Sequence, residues 1–131
     1  MLSNSTASAA RIELVKAAVE RTMPASEARE SLAAYPHDYL GVPYLLRTEH
    51  IGAALRSFLT GEMTAQELQE WAELLEFRDD IEIAGEAEAE TDLIFNILML
   101  LANPELDGRS PFEAAGQMLA DFEGRHDQDG T

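Results

Sequence analysis

Carboxylates recur every third residue through Glu67, Glu70, Glu73, Glu76 and Asp79. Residues three apart share a helical face, so pairs of these groups could hold Mg²⁺ between two helices. A row of like charges more commonly faces water, and that is the reading preferred here. The histidines are His37, His50 and His126, and Glu123-Gly-Arg-His126 has the Glu-x-x-His spacing of metal sites in helical bundles. A di-metal bundle needs that motif twice, and this chain has it once, so no metal site is expected. With zero Cys there is no thiol nucleophile and no disulfide. No serine sits in a Gly-x-Ser-x-Gly elbow, and phosphate loops, dinucleotide fingerprints and calcium loops are absent. Lys16, the one lysine, lies on an amphipathic segment as a solvent-facing cation. The sequence therefore predicts no catalytic residue and no cofactor.

Recognition residues are easier to find than reactive ones. Tyr35, Tyr39 and Tyr44 cluster with His37, Asp38 and Pro43. Tyrosine pairs apolar area with a polar tip, which suits a recognition surface. The competing reading folds the loop back so that the rings cover the edge of the core. The charge is lopsided. Residues 1–60 carry 6 acidic and 6 basic side chains, whereas residues 61–131 carry 19 and 3, which accounts for the net −16. Seven carboxylates and no cation lie between Asp79 and Asp92. Such a field repels nucleic-acid phosphate and anionic lipid and attracts basic partners. The expected partner is a basic protein, and the candidate contact residues are Glu73, Glu76, Asp79, Asp80, Glu82 and Glu86, with Tyr35, Tyr39 and Tyr44.

The elements that must position these residues are helical. At 131 residues and 46% apolar composition, the chain has the length and core content of one domain. Ile12, Val15 and Val19 make one stripe of a helix capped near Ser8 and running to about Met23, where Pro24 stops it. A shorter helix follows over 27–34. Ile51, Ala54, Leu55, Phe58 and Leu59 mark a third helix, with Gly61 placed for the left-handed turn beyond it. Thr64-Ala-Gln-Glu67 is a capping box opening a helix with Leu68, Trp71, Ala72 and Leu75 on one face. A helix over about 87–102 has an acidic first turn and an apolar body. Leu93, Ile94, Ile97, Leu98 and Leu101 form its main stripe, and Phe95, Met99 and Leu100 widen it toward a helix packed on several sides. Ser110-Pro-Phe-Glu113 opens a last helix, expected to end near Gly124. Residues 1–7 and 125–131 are expected to be flexible ends. No period-two alternation marks a strand. The prediction is an all-α, single-domain bundle of about five to six helices. The most apolar run, Ile94–Ala102, is about half the ~20 residues a membrane span needs. No secretory signal is evident, and a cytoplasmic protein is expected.

Two resemblances bear on function. Residues 58–81, from Phe58-Leu-Thr-Gly through Trp71-Ala to Arg78-Asp-Asp-Ile81, resemble small bacterial proteins of the colicin-type immunity kind, with Ile97–Leu106 as a second piece. That resemblance implies an acidic helical bundle that binds and blocks a basic toxin without enzymatic activity, and it transfers no contact residue. Glu67-Leu-Gln-Glu70 and Glu73-Leu-Leu-Glu76 also resemble half of the carboxylate set of all-helical nucleotide pyrophosphohydrolases. That resemblance implies Mg²⁺ chemistry, but the matching pair on the next helix is missing. A third reading is a structural or regulatory homo-oligomer held through Tyr35–Tyr44 or an apolar helix face.

Overall fold

The computed structural model describes residues 2–36, 39, 41–76, 78–85 and 87–129, with side chains described from residue 9 to residue 122 of these. Six helices carry the fold: α1 (Leu2–Val19), α2 (Ala25–Leu32), α3 (Thr48–Leu59), α4 (Ala65–Leu75), α5 (Glu88–Ala102) and α6 (Pro111–Asp129). A 3₁₀ turn at Pro104–Leu106 links the last two. The architecture is predominantly all-α, as the periodicity predicts. Among the described residues, no helix is long and apolar enough to cross a membrane.

The apolar stripes meet in one core. Val15, Val19, Leu46, Ile51, Leu55, Trp71, Ile94, Ile97 and Leu98 are each at most 2% exposed. Trp71 spans the junction of α4 with α1, and its indole N–H donates to the Ala18 carbonyl at 3.0 Å. The Thr64 cap is formed in both directions. The Glu67 amide donates to Thr64 Oγ1 at 3.1 Å, and the Thr64 amide donates to Glu67 Oε1 at 2.9 Å. At α6 the Glu113 amide donates to Ser110 Oγ at 3.2 Å. Helix α5 departs from expectation on one side. Phe95 and Met99 are 50% and 40% exposed, so that face is left partly open among the described residues. The helix stays anchored through Ile94, Ile97, Leu98 and Leu101, which lie on the opposite side.

Two short strands appear where the sequence predicts irregular connections. β1 (Tyr44–Leu46) and β2 (Ile81–Ile83) pair in parallel, with Tyr44 opposite Ile81 and Leu46 opposite Ile83. The pairing is flanked by the Tyr44 amide on the Asp80 carbonyl at 2.9 Å and the Ala84 amide on the Leu46 carbonyl at 2.8 Å. Each strand has three residues, too few to show alternation, and helices α3 and α4 form the crossover between them.

The helix ends differ as well. α6 continues through Gly124 to Asp129, beyond the end expected near Gly124, and α1 begins at Leu2. α1 stops at Val19, short of Met23, because the chain turns at Arg21, which has a positive φ of 61°. The Arg21 amide donates to the Ala18 carbonyl at 3.2 Å, and the Thr22 amide donates to the Ala17 carbonyl at 2.9 Å. These are the two bonds of a Schellman motif with arginine at the position that glycine usually fills. The same pair of bonds closes α3 through Gly61 and Glu62, with Gly61 at φ 86°, as its position in the sequence predicts. A residue with a Cβ pays about 1–2 kcal/mol for that backbone region. Arg21→Gly should therefore be more stable than Arg21→Ala by about 1 kcal/mol in urea unfolding. Equal midpoints for the two variants would contradict a left-handed turn at residue 21.

Candidate functional site

The candidate residues separate into two groups, one on α4 and one around α1. Asp80 belongs to neither as an exposed contact. It is 0% exposed, and both its oxygens are engaged. Arg11 Nε lies 2.9 Å from Oδ2, while Arg78 reaches Oδ1 at 2.7 Å through Nε and Oδ2 at 2.9 Å through Nη2. Burial alone would raise this carboxyl. The hydrogen bonds from Arg78 and Arg11, with their charges, outweigh it and hold Asp80 below the usual carboxylate range. The expectation that Asp80 meets a partner is thus corrected, because its charge is spent inside the fold.

The tyrosines attach to the same structure. The Arg11 guanidinium lies over the Tyr39 ring at 4.8 Å and the Tyr35 ring at 5.9 Å, within cation–π range. Tyr39 donates its hydroxyl proton to the Val42 carbonyl at 2.9 Å. Both rings are half-buried. They fold back on the core edge around a buried cation. His37 and Asp38 of that loop lie outside the described residues.

Tyr44 faces another way. Its hydroxyl donates to Glu20 Oε2 at 2.5 Å, and its ring lies 5.9 Å from that of His50. Burial, followed by the hydrogen bond to Glu20, pushes the Tyr44 phenol up to about 12. His50 opens α3: its Nδ1 accepts the Arg47 amide proton at 3.0 Å, so the ring proton of the neutral form sits on Nε2. A cavity of about 660 Å³ lies beside Tyr39, Tyr44 and His50, with Ile12 and Pro43 on its wall.

The α4 group is the acidic one. Glu73 is exposed and lies 3.6 Å from Arg29, a loose surface pair. Glu76 is half-buried; among the described residues its Oε2 has no hydrogen-bond partner, and burial, then the Glu73 charge, raises its pKa. Asp79 and Glu82 are exposed beyond the helix, and Glu86 lies outside the described residues. The carboxylates of α4 do not converge. Among the described residues, no three His, Asp or Glu side chains group to hold a metal ion. They edge a groove of about 650 Å³ instead, with Glu70 and Glu73 on one side. Leu68, Leu100, Leu101 and Met118 form its apolar surface. Sequence reasoning missed this groove because its walls come from α2, α4, α5 and α6, and no single segment carries it.

No protein-family model matches this chain, and no curated protein or solved structure matches it. The resemblance to colicin-type immunity proteins therefore rests on residues 58–81 and Ile97–Leu106 of the sequence.

The geometry at His50 gives a pH dependence with a definite sign. Burial lowers the His50 pKa, ahead of the opposing charges of Glu49 and Glu20 and the reinforcing charge of Arg47. The unfolded chain then takes up this proton first, as pH falls through about 6.5. This group's contribution is fully present above that pH. It declines as the pH falls through about 6.5 and levels off below the folded-state value. Urea midpoints measured from pH 8 to pH 5 should fall more steeply in the native protein than in His50→Gln. Parallel profiles would contradict the assignment.

Proposed function

We propose that this chain is a non-enzymatic protein-binding module that seats a basic, amphipathic segment of a protein partner in the groove between α2, α4, α5 and α6. The observation that carries the reading is the groove itself, where an apolar floor is edged by Glu70 and Glu73 in a chain of net charge −16. Apolar contacts in such a groove supply affinity, while the surrounding negative field raises the encounter rate and selects for positive partners. The other cations near the groove are occupied. Arg109 pairs with Asp107 at 2.9 Å through Nη2, and Arg29 lies beside Glu73. The exposed carboxylates Asp79 and Glu82 extend the negative surface past the end of α4. An antidote role, in which the partner is a basic toxin, is the specific form that the resemblance of residues 58–81 supports.

The test uses a fluorescent helical peptide of alternating lysine and leucine faces, with a glutamate-for-lysine control. The cationic peptide should bind and weaken about tenfold between about 50 mM and 500 mM salt. Glu70→Lys with Glu73→Lys should weaken it by a similar factor. Leu100→Gln leaves the charge unchanged and should still weaken binding several-fold, because it removes groove surface. Binding that ignores Leu100→Gln would reduce the interaction to bulk electrostatics. Equal binding of the anionic control would contradict the reading outright.

A further inference from the structure

Arg21 is the outlier among the part-buried cations. Its guanidinium Nη1 donates to Ser57 Oγ, while its Nε is buried without a hydrogen-bond partner among the described residues. Among the described residues, no carboxylate lies within ion-pair distance of it, although the chain carries 25 acids. By contrast, Arg11, Arg29, Arg78 and Arg109 each have a carboxylate partner. A partly desolvated guanidinium with an unsatisfied buried donor is costly, and the backbone beneath it is held in a left-handed turn that glycine would adopt freely.

A cavity of about 290 Å³ opens beside this side chain, between the α1–α2 turn, the end of α3 and the start of α4. That size is near the lower end of small-molecule sites, which run from about 300 to 1,000 Å³. Its wall carries two kinds of charge that do not touch. Arg21 is the positive group, with the Ser26 and Ser57 residues also on the wall. Glu62, Glu67 and Glu70 are the negative groups. Glu67 uses Oε1 on the Thr64 amide and Glu70 uses Oε1 on the Gln66 side chain, at 2.9 and 3.1 Å. Met23, Met63 and Trp71 supply the apolar part of the wall.

We propose that this cavity binds a free α-amino acid with an apolar side chain. The ligand's carboxylate pairs with the Arg21 guanidinium on the cavity wall, a charge-assisted contact that arginine makes well. Its ammonium group sits toward Glu62, Glu67 and Glu70, and its side chain lies against Met23, Met63 and Trp71. A simple anion satisfies Arg21 but meets three carboxylates, and a simple cation meets Arg21. A small zwitterion satisfies both ends. The cavity adjoins the docking groove and shares Ser26 and Glu70 with it, but Arg21 and Glu62 line the cavity and not the groove, so variants at those two residues test this site apart from partner docking.

Isothermal calorimetry with each of the common amino acids, up to about 10 mM, tests the proposal. At least one apolar amino acid should bind, and its methyl ester and N-acetyl forms should each bind about tenfold more weakly or worse. Arg21→Gly suits the left-handed turn and removes the guanidinium, so it should stay folded by circular dichroism and lose about tenfold or more in affinity. Glu62→Gln should weaken the amino acid but leave its N-acetyl form unchanged. Failure of every amino acid to bind the folded protein would overturn the proposal. So would binding unaffected by Arg21→Gly, or an ester that binds as well as the free acid.

Discussion

A carboxylate with no exposure, held between two arginines, closes this fold. Asp80 joins Arg11, 69 residues earlier in the chain, to Arg78, its near neighbour. Removing a charge from water costs several kcal/mol, and the cost is recovered only when the partner geometry is good and the remaining donors and acceptors are satisfied. Both Asp80 oxygens meet that condition. The consequence is positional. Asp80 sits immediately before β2, and its carbonyl accepts the Tyr44 amide at the start of β1. Arg11 therefore fixes α1 against the strand pair, and the rings of Tyr35 and Tyr39 settle over its guanidinium.

That closure decides which charges are left for other molecules. Asp80 is neutralised inside, and the Tyr35 and Tyr39 rings are spent on the same cluster. The exposed carboxylates of α4 and of the segment beyond it remain, next to an apolar groove that four helices build together. Partner docking and the Arg21 cavity draw on opposite situations. In the docking proposed, the groove offers negative charge to a positive segment, whereas the cavity holds a positive group with no carboxylate in ion-pair distance among the described residues.

Most of the helical framework was legible because local rules agreed with the global fold. Thr64 and Glu67 cap α4 as their spacing predicts, Gly61 takes the left-handed turn after α3, and the stripes of α3, α4 and α5 face the core. What escaped was non-local. Strands of three residues paired across two helices leave no periodic signal. Arg78-Asp-Asp-Ile81 reads as a solvated connection until Arg11 is known to lie beside it. One clue was available: Arg11 precedes Val15 by four residues and Ala18 by seven, so it occupies the buried stripe of α1, where a charge needs a partner. The end of α1 was misplaced for a related reason, since Arg21 occupies a turn position that glycine normally announces. The groove and the zwitterion cavity are assembled from four and three separate parts of the chain, and neither has a linear signature.

The most direct test of this account is a double-mutant cycle in urea unfolding at neutral pH, built from Arg11→Met, Asp80→Asn and the double variant. Loss of the Asp80 charge should cost about 3–5 kcal/mol, because it removes the buried carboxylate on which Arg11 and Arg78 both converge. The double variant should be less destabilised than the sum of the singles by more than about 1 kcal/mol. Small effects that simply add would mean that Arg11 and Asp80 do not hold the two ends of the fold together.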